Sequence, residues 1–283
     1  SFIRNEDSGK NPGAYVGEPL QGFQENIISF DANSLYPNVM ISLNMSPETK
    51  VGKIEDKNEK EITIRHVNGK VFTLPINKFA KFVSDEEIAI SRANVLFTQK
   101  RKGVMPEILD EYYGKRVKIK KELGKLRREY SKTKDPKTKV KIDQLDSKQL
   151  CIKIFINSIY GYFGNKNAPF GDDDIASSIT LTGQAVIKMS NELLKKYITK
   201  RVGIEDEKML NDSVIYNDTD SSYISIKHII DNTDINFVDS EGNLTKELHD
   251  EVQCIEDFLN DEIKVWGSKA LNSKDCRFVF KRE

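Results

Sequence analysis

Val214-Ile215-Tyr216-Asn217-Asp218-Thr219-Asp220-Ser221-Ser222-Tyr223-Ile224-Ser225-Ile226 places two β-branched and aromatic runs on either side of a short polar bend. That pattern predicts a β-hairpin with carboxylates at or beside its turn. Two readings of the bend stand side by side. Asn and Asp are ordinary turn residues whose side chains bond to nearby backbone. Bunched carboxylates on a rigid hairpin also repel one another, and a cation relieves the repulsion. A second acidic position lies upstream. Asn26-Ile27-Ile28-Ser29-Phe30 reads as a buried strand that runs into Asp31, followed by Ala32-Asn33-Ser34-Leu35-Tyr36-Pro37. An Asp there is either a strand-end cap or a metal ligand.

Outward from these two sites the pattern is mixed. Ser1 to about Gln24 is polar and contains glycine, which suits a leading loop. Glu61–Val67 and Lys70–Leu74 flank Asn68-Gly69, the strongest short hairpin signal in the chain. His66 lies in the first of these strands with no partner motif and is read as structural. From Pro106 the apolar residues Ile108, Leu109, Tyr112, Tyr113, Val117, Ile119, Leu123 and Leu126 recur at helical spacing as far as Tyr130. A basic segment, Ser131–Lys137, holds Pro136, and a second helix then runs through Ile142, Leu145, Leu150, Ile154 and Ile159 to Gly161. The two form an antiparallel helical hairpin. Asp172-Asp173-Asp174 caps a third long helix with the stripe Ile175, Ile179, Val186, Met189, Leu193 and Tyr197. After the acidic hairpin come an acidic helix holding Val252, Ile255, Phe258, Leu259 and Trp266, and a terminal strand Arg277–Phe280. Strands and helices do not alternate as βαβα, so the fold class is α+β.

Composition excludes several classes. The 283 residues suffice for a globular core, and no apolar run approaches a membrane span or a secretory signal, so a soluble cytoplasmic protein is expected. The three cysteines, Cys151, Cys254 and Cys276, lack metal-finger spacing and are read as reduced thiols. The 44 basic and 44 acidic residues cancel, but basic residues crowd Lys115–Lys141 and acidic ones crowd Asp231–Glu262. Such asymmetry suits one basic face turned to phosphates, although solvated helix surfaces account for most of these lysines.

Three motifs occur in a set order: Asp31-Ala32-Asn33-Ser34-Leu35-Tyr36-Pro37, Lys153-Ile154-Phe155-Ile156-Asn157-Ser158-Ile159-Tyr160-Gly161, and Tyr216-Asn217-Asp218-Thr219-Asp220-Ser221. In these the chain resembles the family B DNA polymerases, and most closely the replicative enzymes of T4-like bacteriophages. The resemblance runs from Gly13 to Glu283. It implies a palm built on an antiparallel sheet with packed helices and a helical-hairpin fingers subdomain. Residues 1–103 and 165–283 would form the palm, and residues 104–164 the fingers.

The resemblance also implies a DNA-directed DNA polymerase that uses two Mg²⁺ ions, primer–template DNA and dNTPs, in the cytoplasm, or the host cytoplasm for a viral protein. Asp31 and Asp220 would bridge the metals, with the Ala32 carbonyl as a further ligand and Asp218 as an auxiliary. Arg116, Lys120, Lys153 and Asn157 would hold the triphosphate, with Lys153 a proton donor to the leaving group. Lys153, which interrupts an apolar run, is expected on a largely buried helix, where an unpaired ammonium is costly. Ser34, Leu35 and Tyr36 would lie under the triphosphate and sugar, with Tyr36 a steric gate against ribonucleotides. Tyr160, Gly161 and Thr219 would contact the nascent base pair and template.

Two departures accompany the resemblance. Asn217 stands where the family usually has glycine, a substitution that Asn tolerates by entering left-handed turns. Arg282-Glu283 matches the start of a later acidic palm segment, and neither thumb nor proofreading exonuclease is represented. The expectation is a fragment: a truncated chain, an incomplete reading frame, or one piece of a split polymerase with a complementing chain and a sliding clamp as possible partners. A catalytically incompetent nucleotide- or DNA-binding piece is the rival reading. A two-metal nuclease would explain the carboxylates but not Tyr36 or the cation set.

Overall fold

The computed structural model describes residues 13–165, 167–203, 205–234 and 236–283. In chain order the elements are β1 (Ile27–Ala32), α1 (Leu35–Ser42), β2 (Lys50–Lys57), β3 (Glu61–His66), β4 (Val71–Pro75), α2 (Ile76–Asp85), β5 (Ile88–Ile90) and β6 (Val95–Thr98). Then follow α3 (Val104–Thr133), α4 (Pro136–Phe163), α5 (Asp173–Val202), α6 (Glu207–Asn211), β7 (Val214–Asp218), β8 (Ser221–Ser225), α7 (Lys227–Asp231), α8 (Lys246–Ala270) and β9 (Phe280–Arg282). The class is α+β, with two antiparallel sheets.

The first sheet has the order β7-β8-β1-β9 and carries both acidic motifs. Strand β1 lies in its interior, which explains why Ile28-Ser29-Phe30 is so apolar: Phe30 is fully buried. Helices α5 and α8 pack against each other and against this sheet. Their apolar stripes, Ile179, Val186 and Leu194 on α5 and Val252, Leu259 and Ile263 on α8, join Phe30 and Phe280 in one core. Each such side chain removed from water contributes about 1.5–3 kcal/mol.

The helices α3 and α4 form the expected hairpin, but its tip is tighter than the polar run suggests. Only Lys134 and Asp135 separate them. Lys134 takes a left-handed conformation (φ 52°), and Asp135 accepts hydrogen bonds from the Lys137 and Thr138 backbone N–H groups to start α4, with Pro136 in its first turn. The hairpin does not have a separate core, since Ile119, Leu123, Ile142 and Ile156 belong to the same cluster as Phe30, Ile179 and Val252.

The second sheet, β4-β3-β2-β6-β5, is only partly legible in sequence. The Asn68-Gly69 hairpin is present, with Gly69 at φ 84° and the His66 N–H donating to the Lys70 carbonyl. His66 is structural, its Nδ1 accepting from the Asn68 N–H at 3.2 Å. Strands β2, β5 and β6 and helix α2 complete a small unit with its own core of Ile54, Ile62, Ile64, Phe79, Ile88 and Leu96. An ion cluster ties it to the main body. Lys50 lies 2.8 Å from Asp172 and 2.9 Å from Asp174, and Lys53 lies 2.8 Å from Asp174.

One expectation is corrected here. The last strand comprises Phe280–Arg282 rather than Arg277–Phe280, because residues 277–279 lead into the sheet and pairing with β1 starts at Phe280. Of the leading loop expected from Ser1 to about Gln24, residues 1–12 lie outside the described residues, and the remainder is irregular but tied to the sheet. Gly17 N–H donates to the Asn217 carbonyl (3.0 Å), Leu20 N–H to the Ile215 carbonyl (2.8 Å), and Val16 bridges Asp218, so residues 15–20 run along the outer edge of β7. The three cysteines are free. Among the described residues no helix is long and apolar enough to cross a membrane.

Candidate active site

Strand pairing brings the two acidic motifs together. Asp31 in β1 pairs with Ser221 in β8, the Ala32 N–H donates to the Asp220 carbonyl at 2.7 Å, and the Ser221 hydroxyl donates to Asp31 Oδ1 at 3.3 Å. Sequence separation of 190 residues is thus reduced to adjacent strands. The bend itself is narrow: Asp220 N–H donates to the Asp218 carbonyl at 2.5 Å. Thr219 at the apex has φ 52°, a conformation unfavourable for a β-branched residue. It is held by its N–H donating to the Tyr15 carbonyl (2.9 Å) and its hydroxyl to Asp218 Oδ1 (3.0 Å).

This corrects the reading of Asn217. It lies in extended strand β7, not at a left-handed position, and its side chain is buried. Its amide Nδ2 donates to Asn191 Oδ1 (3.1 Å) and Ser222 Oγ (2.9 Å), while Asn191 Nδ2 donates to Asn217 Oδ1 (2.8 Å). The reciprocal amide pair fastens β7 and β8 to α5 directly behind the acidic bend.

The carboxylates are electrostatically coupled. Burial, then the charge of Asp220, then that of Glu283 push the Asp31 pKa up to about 6, against the Ser221 hydrogen bond and Lys153. Burial also raises Asp220, with Asp218 and Glu283 adding to the shift while its backbone hydrogen bond and Lys153 oppose it. Asp218 is exposed and acts on Asp220. Among the described residues no group of three or more His, Cys, Asp or Glu is arranged to hold a metal ion. What fits a divalent cation here is the pair Asp31 and Asp220: two half-buried carboxylates whose mutual repulsion a cation would relieve.

Glu283 was not among the predicted site residues. Its N–H donates to the Ser29 carbonyl at 3.2 Å, fixing it beside β1. The signal was present in Arg282-Glu283 following an apolar strand, but its register against β1 could not be read from one strand.

The cations come from two helices and a strand. On α4, Lys153 and Asn157 share an exposed face, while Ile152, Ile156, Ile159 and Phe163 are buried on the other. Lys153 is therefore not on a buried surface as expected; the apolar run around it divides between two faces, and its ammonium reaches the field of Asp31 and Asp220. On α3, half-buried Arg116 donates through Nε to Gln149 Oε1 at 3.3 Å, and Lys120 is exposed one turn further. Arg116 and Lys120 line a cleft of about 410 Å³ with Asn33, Tyr113, Lys121 and Lys281. Asn33 Nδ2 donates to the Tyr113 hydroxyl at 2.6 Å, closing α3 onto the loop after Asp31.

That loop turns at Ser34, whose φ of 49° starts α1. The Leu35 side chain is buried in the core. Tyr36 packs against Tyr160 of α4, ring centroids 5.0 Å apart. It also lies against Gly183 of α5, where an added Cβ would fall 2.9 Å from Tyr36 Cε1. Burial, then Tyr160 and Asp220, push the Tyr36 hydroxyl pKa up to about 12. An added Cβ at Gly161 would meet no protein atom, so the space beside it is open.

Residues 3–252 match the family model described as DNA polymerase family B. The chain is 30% identical over 223 residues to the DNA polymerase delta catalytic subunit of Plasmodium falciparum, covering 78% of this chain and 17% of that protein. It is 29% identical over 214 residues to the DNA polymerase zeta catalytic subunit of Saccharomyces cerevisiae, covering 74% and 13% respectively. Against the DNA-directed DNA polymerase of Escherichia phage RB69 it is 27% identical over 250 residues, covering 78% and 27%. The chain belongs to DNA polymerase family B. It spans about a quarter or less of the length of these relatives.

Proposed function

We propose that this chain carries the nucleotidyl-transfer site of a DNA-directed DNA polymerase, joining dNTPs to a primer 3′-hydroxyl on a DNA template. The observation that carries the reading is the convergence of Asp31, at the end of β1, with Asp220, in the bend between β7 and β8, with the Lys153 charge acting on both. The RB69 match, which extends over 250 residues, supports a phage-type enzyme.

Asp31 and Asp220 would hold two Mg²⁺ ions, with the Ala32 carbonyl as a further ligand and Asp218 and Glu283 adding negative field. When bound, such ions activate the primer hydroxyl and stabilise the departing pyrophosphate. Arg116 and Lys120 would grip the triphosphate from α3, Arg116 through its planar fork and Lys120 as a point charge. Lys153 and Asn157 would meet it from α4, and Lys153 would pass its proton to the pyrophosphate oxygen as that bond breaks. The Ser34 and Leu35 backbone would lie beneath the phosphates. Tyr36, wedged between Tyr160 and Gly183, would fill the space of a ribose 2′-hydroxyl and exclude ribonucleotides by clash. Tyr160 and the open side of Gly161 would receive the nascent base pair, and Thr219 would approach the primer–template at the apex of the bend.

Primer extension with Mg²⁺ at low salt tests the proposal. Wild-type extension that Asp220→Asn abolishes is the expected result. Equal absence of extension in both chains, with DNA or nucleotide binding retained, would instead make this stretch a binding module; degradation of DNA without dNTP dependence would make it a nuclease.

A further inference from the structure

The cleft between α3 and β9 gathers four cations, Arg116, Lys120, Lys121 and Lys281, around one concavity. Elsewhere on α3 and α4 several cations have a carboxylate partner: Lys115 lies 2.5 Å from Glu111, Lys139 lies 2.8 Å from Asp143, and Arg127 pairs with Asp146. Inside the cleft no carboxylate is present among the lining residues. Arg116 has the neutral amide of Gln149, and Lys120, Lys121 and Lys281 make no ion pair among the described residues. Three of these cations come from one helical turn and a half of α3. The fourth, Lys281, comes from the opposite wall. It pairs with Asp31 across β1 and β9, so it shares that carboxylate's face of the sheet, yet it opens into the cleft rather than into the acidic pair.

Four like charges gathered around one concavity repel one another, and a polyanion seated among them converts that repulsion into attraction. The volume of about 410 Å³ and the neutral Asn33 and Tyr113 groups beside the cations suit a compact phosphate chain. We infer that Lys281, with Lys121 facing it, is a polyphosphate-binding residue that completes the hold on the triphosphate tail from the sheet side. The inference rests on the nucleotide-site reading above and adds a wall to it. Lys281 is fixed to β9 and not to the helical hairpin, so it would hold the phosphates independently of α3 and α4, the pyrophosphate product as well as the incoming nucleotide.

Titration calorimetry of the full chain at low salt, with sodium tripolyphosphate and separately with dATP, tests this. Lys281→Glu is expected to bind tripolyphosphate about tenfold or more weakly, the loss of one charge-assisted contact. Lys78→Glu, the same charge change on exposed α2, is expected to stay within about twofold, as a distant screened charge should. Lys281 is exposed, so its replacement leaves the core intact, and an unchanged melting temperature verifies this. If Lys281→Glu binds both ligands as wild type does while Arg116→Ala loses dATP, the nucleotide site stands and the role of Lys281 is overturned. If Lys78→Glu weakens tripolyphosphate as much as Lys281→Glu, general charge attraction explains the binding and the inference fails. If Lys281→Glu weakens only single-stranded DNA, the cleft is a nucleic-acid backbone site, which also overturns it. If wild type binds neither ligand, both readings fall together.

Discussion

Tyr36 shows what a single contact fixes. Its ring stands where α5 supplies no side chain, and only a glycine at 183 leaves room, since a Cβ there would fall 2.9 Å from Cε1. Nothing in the sequence around Gly183 announces this, because a glycine in a helix reads as a helix weakness and its partner lies 147 positions earlier. Gly183→Ala is expected to displace the Tyr36 ring towards Tyr160 and the sugar position. The consequence is a several-fold rise in KM for dNTPs, on the order of 1 kcal/mol, with kcat less affected; measured KM and the dNTP-to-rNTP preference check it. An unchanged KM with normal folding would remove Gly183 from the gate. The Asp31, Asp218 and Asp220 motifs were legible as residues, because acidic groups beside apolar runs gain nothing from burial alone. Their ranking came only from register: Asp31 pairs with Ser221 and the Ala32 N–H with the Asp220 carbonyl, which sets Asp31 and Asp220 side by side, while Asp218 is exposed.

At the scale of elements, the long helices declared themselves through apolar spacing, and the Asp172 and Asp135 caps through turn chemistry. The second sheet did not. Strands β2, β5 and β6 are short or strongly charged, as in Lys53-Ile54-Glu55-Asp56-Lys57, and their pattern emerges only when paired with β3. The junction between that sheet and α5 is equally silent in sequence, because Lys50 and Asp172 are 122 positions apart. Asp172 has two tasks there. It caps α5 by accepting from the Asp174 and Ile175 N–H groups and it pairs with partly buried Lys50. Asp172→Ala is expected to lower stability by about 1–2 kcal/mol, read from urea denaturation midpoints. Asp172→Asn keeps a good cap and loses only the charge, so it should recover roughly half of the loss; equal loss in both would assign the whole effect to the ion pair.

For the whole molecule, the acidic pair makes stability depend on pH in a defined direction. The Asp31 pKa is raised to about 6 and Asp220 is raised with it, so the folded state takes up protons that the unfolded chain, near 3.8, has already released. The stabilising contribution is complete below pH 3.8 and is lost as pH rises through about 6. In the metal-free protein the melting temperature is therefore expected to fall between pH 5 and pH 7, relative to Asp31→Asn, which is neutral throughout. Mg²⁺ should restore it near pH 7.5 and have little effect near pH 5. Parallel wild-type and Asp31→Asn profiles, with no differential response to Mg²⁺, would exclude the coupled pair as a cation site.

The segment at residues 15–20 has a consequence of a different kind. By lying along β7 it occupies the outermost row of backbone donors and acceptors of the first sheet, from Ile215 to Asp218. Without it that row would be an open template for another extended chain, with the tilted Tyr216 and Tyr223 rings nearby, their centroids 5.8 Å apart. The same few residues that hold Thr219 in its unfavourable conformation thus act as a selvedge, guarding the sheet against fibrous self-association.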